Sequence, residues 1–181
     1  MRTLNITTFP VLETERLILR QVNKTDANEV FFLRSSLEVG KYIARDPQKS
    51  IDETIAFIER TKRNLIDNKA IPWAITFKDN DALIGTLSLH NFSEDNSVAE
   101  IGYDLNPEFQ KKGIMSEALK TVVSYGFKEL GLFMIEAYTQ IENESSKLLL
   151  VKNKFQLHPT RVDEGFPKNI IFELYRKDYN G

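Results

Sequence analysis

The stretch Ile101-Gly102-Tyr103-Asp104-Leu105-Asn106-Pro107-Glu108-Phe109-Gln110-Lys111-Lys112-Gly113-Ile114-Met115-Ser116-Glu117-Ala118-Leu119 decides the fold. Residues 98–105 alternate in polarity and are rich in β-forming side chains, so they read as a strand. Asn106-Pro107 breaks it. From Gly113 the spacing becomes helical, with Ala118, Leu119, Val122, Val123, Gly126, Phe127 and Leu130 on one stripe. Residues 110–116 therefore lie at a helix start, where backbone N–H groups lack helical partners and the dipole is positive. Such a start binds anions, phosphate above all. Lys111 and Lys112 add charge, and Gly113 lets a ligand approach without a Cβ in the way. A solvated basic turn is the competing reading. Neither Gly-x-x-x-x-Gly-Lys-Ser/Thr nor Gly-x-Gly-x-x-Gly is present.

Downstream, Gly131 stands where a helix C′ glycine belongs, and residues 133–140 read as the next strand. Strand, helix, strand makes a βαβ unit, which predicts that strands 98–105 and 133–140 run parallel. Asn143 then caps a helix over 146–152 with Ser146 at its third position. Asn153 is the residue expected to turn left-handed after it. Residues 154–160 and 169–176 read as two last strands around a turn at 163–168. Upstream, residues 72–77, 83–90 and 98–105 form a meander with turns at 79–81 and 94–97. Residues 14–20 alternate as a first strand after a loose lead-in, with Arg16 and Arg20 read as solvated faces. Helices follow over Ala27, Val30, Phe31 and Leu33, over 37–42, and after the capping box Ser50-Ile51-Asp52-Glu53. The aromatics Phe31, Phe32, Tyr42 and Phe57 read as core or as lining of a cleft. The predicted class is mixed α/β: one twisted, mostly antiparallel sheet with a single parallel pair and helices on both faces, forming one domain over 1–181.

Composition narrows the function. The chain has 181 residues, 41 % of them apolar and 28 % charged, as in an ordinary globular protein. A net charge of −2 implies no broad basic surface for nucleic acid. Without cysteine there is no disulfide, thiolate metal site or cysteine nucleophile. The two histidines, His90 and His158, are far apart, so no metal site is expected. No run approaches the length of a membrane span, and a cytoplasmic location is the default expectation.

The spacing Gln110-x-x-Gly113-x-Met115 resembles the Gln/Arg-x-x-Gly-x-Gly/Ala pyrophosphate loop of GNAT-superfamily N-acetyltransferases. The run from Glu100 to Leu119 and the opening Thr14-Glu15-Arg16-Leu17 with Asp26-Ala27 resemble the RimJ/RimL-like branch in particular. Met115 replaces a small residue, so its side chain must point away from the phosphates. Lys111 stands where that branch often has glycine, a replacement that requires a negative φ. Lys154 replaces a second such glycine.

The resemblance implies acetyl-CoA as donor and an amine as acceptor. It places the pyrophosphate on the amides of Gln110, Lys111, Lys112, Gly113, Ile114, Met115 and Ser116. It lays the pantetheine arm along main-chain groups near Tyr103, Leu105 and Asn106. Asn143-x-x-Ser146 matches the branch's Asn-x-x-Ser, where the Asn helps hold the cofactor and the Ser protonates the thiolate. The residues alone also allow an ordinary N-cap there. Tyr103 and Tyr138 are alternative proton donors. Glu100 shares a strand face with Gly102 and Asp104 and is the best candidate base; a surface carboxylate is the other reading, and His90 is a weaker relay candidate. The implied acceptor is a protein or peptide α-amine, with a small amine as the alternative enzyme reading and an acyl-CoA-binding module as the non-catalytic one.

Overall fold

The structure is a computed structural model that describes Ile6 and residues 8–179. Its strands are β1 (Leu12–Glu13), β2 (Leu17–Gln21), β3 (Ala70–Phe77), β4 (Asn80–His90), β5 (Val98–Leu105), β6 (Met134–Gln140), β7 (Gln156–Leu157) and β8 (Asn169–Tyr175). They form one sheet in the order β1-β2-β3-β4-β5-β6-β8-β7. All pairings are antiparallel except β5 with β6. The parallel pair predicted from the βαβ pattern is thus present, and α4 (Ile114–Lys128) is its crossover.

The pleat sorts the core. Leu17, Leu19, Ile71, Trp73, Ile75, Leu87, Leu89, Ala99, Ile101 and Ile135 lie on one face and pack with the stripe Ala118, Leu119, Val122, Val123 and Phe127 of α4. Each Leu, Ile, Val or Phe among them contributes about 1.5–3 kcal/mol by leaving water. On the other face, Ala74 meets Val30 and Leu33 of α1 (Ala27–Ser35) and Ile58 of α3 (Ile51–Ile66). The short α2 (Leu37–Gly40) joins them, and α5 (Glu144–Lys152) follows β6. Helices α1 and α3 share a core with Ala74 and Leu83, at the β3–β4 end of that face.

Local details depart from the sequence reading where sequence pattern does not set backbone geometry. The strand expected over 14–20 is β2 and starts only at Leu17, because Thr14 turns back to bond Leu17 through both backbone and hydroxyl. The β3–β4 turn is Lys78-Asp79, with Phe77 opposite Asn80. Left-handed backbone falls on Lys154 (φ 70°), whereas Asn153 keeps φ −95° and closes α5 with its side chain. Lys111 also has positive φ, 60°, against the negative value expected. A lysine in this region costs about 1–2 kcal/mol relative to right-handed backbone.

Candidate active site: a forked sheet opening on a helix start

Strands β5 and β6 pair only as far as Glu100 and Glu136, and beyond that point they diverge. The N–H of Asn106 bonds Ile84 of β4, so by alternation Glu100, Gly102 and Asp104 aim their backbone at β4. Ile101, Tyr103 and Leu105 aim theirs into the fork. A cleft of about 690 Å³ occupies the gap. Its lining includes Gly102, Tyr103, Leu105, Gln110, Lys111, Gly113, Ile114, Met115, Ser116, Ala137, Tyr138, Thr139, Asn143 and Ser146, with Tyr42 and Ile43 on the facing wall. Most of the sequence-picked residues thus meet in one cavity. Asn106, Lys112 and Glu100 stand outside its lining. Asn106 instead caps the turn at Pro107–Phe109, its Oδ1 accepting from Glu108 N–H at 3.0 Å. Of the four candidate aromatics only Tyr42 reaches the cleft; Phe57 lies under the Arg34 guanidinium at 3.7 Å.

The loop before α4 is built to present backbone donors. The first bond of the helix runs from Glu117 N–H to Gly113 C=O, so the amides of Ile114, Met115 and Ser116 precede it. Gly113 adopts φ 78°, which turns the chain into the helix. Gln110 ties the loop to the strand end, donating to Leu105 C=O at 3.1 Å. Met115 is largely buried, packing with the apolar core while also lining the cleft. The hydroxyl of Ser116 is engaged with Asn153 at 3.2 Å, which leaves only its amide for a ligand.

Arg16 is the residue the sequence reading missed. Its guanidinium pairs with Glu117 at 2.7 Å and donates to Lys112 C=O at 3.2 Å. Thr14 Oγ1 and the Arg16 N–H bond the same carboxylate. Burial raises the Glu117 carboxyl's proton affinity, but the bonds from Thr14 and Arg16 outweigh it and hold the group below its usual range. Arg20 is likewise engaged, with Asp26 at 2.8 Å and Asp81 at 2.5 Å. The available signal was the spacing Thr14-x-Arg16 in an opening otherwise read as solvated. Its partners lie about a hundred residues away.

On the far wall, Tyr103 OH and Ser146 Oγ are 2.8 Å apart. Ser146 is 9 % exposed, and its amide is capped by Asn143 Oδ1 at 3.1 Å. Burial pushes the Tyr103 phenol up to about 12, partly opposed by the Ser146 bond. Both hydroxyls therefore hold their protons at neutral pH. Tyr138 donates to Glu136 at 2.9 Å, and burial, then Glu136, raise it to about 12. Arg161 bonds Glu136 and also Glu173, at 2.7 Å for the latter.

Glu100 sits on the opposite face from Ile101, at the crotch of the fork. It accepts from Asn91 Nδ2 at 2.8 Å and faces His90 Nε2 at 3.4 Å. Burial raises this carboxyl, yet the His90 bond and charge and the Asn91 bond bring it below its ordinary value. Asp104 is held by Arg45 at 2.9 Å, which also bonds Leu33 C=O and so pins the 41–50 segment beside the cleft. No cluster of groups able to hold a metal ion is present among the described residues.

Comparison with known proteins agrees with this geometry. Residues 16–156 match the family described as Acetyltransferase (GNAT) domain. The uncharacterized N-acetyltransferase YoaA of Bacillus subtilis (strain 168) is 40 % identical over 82 % of this chain and 84 % of its own. A Mycobacterium smegmatis RimJ structure in complex with CoA-disulfide superposes with a TM-score of 0.82 at 18 % identity, covering 94 % of this chain and 89 % of that one. RimL, a ribosomal alpha-N-protein acetyltransferase in complex with coenzyme A, superposes with a TM-score of 0.80 at 18 % identity, covering 94 % and 100 %. The fold, the forked strands and a family match spanning the loop make this chain a GNAT N-acetyltransferase.

Proposed function

We propose that the chain moves an acetyl group from acetyl-CoA to a primary α-amine of a protein or peptide, by direct attack with both substrates bound. The observation that carries the reading is the fork of β5 and β6 opening on the unpaired amides at the start of α4, with the Tyr103–Ser146 hydroxyl pair across the cleft. The amides of residues 110–116 suit a pyrophosphate. The fork-facing backbone of Ile101 and Tyr103 suits the pantetheine amides, and the same N–H groups suit the carbonyl oxygen as it gains charge. Asn143 contributes its remaining carboxamide edge to the donor. Ser146, backed by Tyr103, donates to the departing thiolate. Glu100 assists loss of the acceptor's proton.

The α-amine follows from energetics and likeness together. Deprotonating an α-amine of pKa about 7.8 at pH 7 costs about 1 kcal/mol, and a lysine of about 10.4 costs about 4.6. The carboxyl of Glu100 is a weak base, so the cheaper amine suits it. RimL, the alpha-N-protein acetyltransferase whose fold this chain shares, points the same way.

Thiol release is the test. With acetyl-CoA, short peptides with free N-terminal Ser or Ala are expected to be turned over at least about tenfold faster than N-blocked peptides bearing one lysine, or than spermidine. Faster turnover of spermidine would move the acceptor to small amines. Binding of acetyl-CoA without amine-dependent thiol release would reduce the chain to an acyl-CoA-binding module.

The Arg16 clamp has its own expected signature. Arg16→Met keeps the stem and removes the ion pair and the bond to Lys112. The pair is partly exposed, so its loss is worth about 1 kcal/mol, or roughly a fivefold weaker acetyl-CoA affinity by calorimetry. An unchanged affinity would mean that the loop keeps its shape through Gln110 and Gly113 alone.

A further inference from the structure

The face of the sheet that carries Glu100 also carries Ser88 and His90, which the transfer chemistry above does not use. Residues 88 and 102, and 90 and 100, are direct cross-strand partners of β4 and β5. Ser88, His90 and Glu100 therefore stand together on one side. Their side chains form a continuous line: Ser88 Oγ lies 3.1 Å from His90 Nδ1, and His90 Nε2 lies 3.4 Å from Glu100 Oε1. Gly102 makes room for it. A Cβ on Gly102 would sit 3.1 Å from His90 Cε1, so the imidazole lies across the one position of β5 that has no side chain. Gly102 in turn lines the cleft. The ring is neither buried nor free, with a side chain 29 % exposed.

We propose that Glu100 passes the acceptor's proton to His90, and that Ser88 leads it out to solvent, a three-residue relay along the open face of β4 and β5. The inference rests on the amine-acetylation reading above and adds His90 and Ser88 to it. The balance is simple. The acceptor ammonium gives one proton to a carboxylate oxygen of Glu100, and its nitrogen keeps the electron pair that attacks the thioester. Glu100 gives that proton to His90 Nε2 and returns to carboxylate. The imidazolium releases its Nδ1 proton through Ser88 Oγ to water, which restores a neutral ring with the proton on Nε2; exchange of the ring's two protons with solvent readies it again. His90 is a relay residue that acts through Glu100.

The chemistry favours this division of labour. A carboxylate held below its ordinary range cannot retain a proton at neutral pH, and imidazole is the side chain whose own titration spans that range. Other ionisable groups near the line are Glu136 and Tyr138 of β6, and Arg161, which pairs with both Glu136 and Glu173. Asn91 fixes the second oxygen of Glu100. On the β3 side the partner of His90 is Ala70, which carries no charge.

The experiment measures kcat against pH from about 6 to 9, with whichever of the peptides or spermidine the unmodified enzyme turns over fastest. The unmodified enzyme is expected to show a limb that rises with pH, as general-base assistance requires. His90→Gln should lower kcat at neutral pH by about ten- to a hundredfold, within the range of lost general-base assistance, and should remove that limb. Added imidazole should restore part of the rate to His90→Gly. Ser88→Ala should give a smaller loss of the same kind. Calorimetry on His90→Gln should return the unmodified affinity for acetyl-CoA to within about twofold. The relay is wrong if His90→Gln keeps both kcat and the limb. It is also wrong if kcat falls with the limb intact and without rescue by imidazole, because the histidine then only supports the strand. If His90→Gln slows the reaction but Glu100→Gln does not, the path through Glu100 is overturned. Absence of thiol release by the unmodified enzyme with every amine would instead sink the acceptor reading, and the relay with it.

Discussion

Gly113→Glu is expected to weaken acetyl-CoA binding by about a thousandfold, enough to abolish it in calorimetry. Three effects act at this position, and their sizes decide which dominates. A Cβ on Gly113 would have 3.5 Å to its nearest neighbour, Arg16 Nη2, which is ordinary contact. Sterics within the free protein are therefore minor. The backbone φ of 78° costs a side-chain-bearing residue about 1 kcal/mol. The new carboxylate would stand within about 4 Å of where a phosphate must lie, and at an effective dielectric of about 20 that repulsion is worth about 4 kcal/mol, or about a thousandfold. Charge decides. Gly113→Asn separates the terms, since asparagine tolerates left-handed backbone and carries no charge. It should retain affinity to within about tenfold. Equal loss in both variants would show that the turn, and not the charge, matters; full binding by Gly113→Glu would remove the pyrophosphate from the start of α4.

The strand–loop–helix core of this site was legible because two periodicities meet there. Strand β5 ends at Leu105 and the helical stripe begins after Gly113, as the pattern implied. Asn143 and Ser146 were legible for a similar reason, since an N-cap and its third residue are a local pair. Local pattern could not supply three other features. Arg16 reaches Lys112 and Glu117 only because β2 packs close to the α4 start. Lys111 and Lys154 take glycine-like backbone without being glycine, so composition pointed to the wrong sign of φ. The contact of Tyr103 with Ser146 depends on how α5 approaches β5, which no spacing encodes. The pairing of His90 with Glu100 was within reach. A β4–β5 hairpin in which residue numbers sum to a constant places 90 opposite 100 once any one pair is known.

Ser146→Ala is expected to lower kcat by about ten- to a thousandfold while leaving acetyl-CoA affinity nearly unchanged, the pattern of lost general-acid assistance. The structure adds a second variant to this expectation. Tyr103 and Ser146 share one hydrogen bond whose donor either hydroxyl can be. A phenol pushed up to about 12 lies above a thiol near 8.5, so handing its proton over completely is uphill by about 5 kcal/mol. The pair therefore assists best by donating a hydrogen bond as sulfur gains charge, with Tyr103 polarising Ser146. In that arrangement the two residues act as one unit. Tyr103→Phe should lower kcat by a smaller factor, about three- to thirtyfold, because Ser146 stays in place but loses its orienting partner. The double variant should be about as slow as Ser146→Ala alone, a coupling of about 1–2 kcal/mol in the cycle. Additive losses would show that the hydroxyls serve separate steps. Unchanged kcat in Ser146→Ala, with a large loss in Tyr103→Phe, would make the phenol itself the donor. If neither variant slows the reaction, Tyr138 lies in the same cleft but gives its proton to Glu136, and catalysis would then rest on positioning by the fork rather than on any hydroxyl.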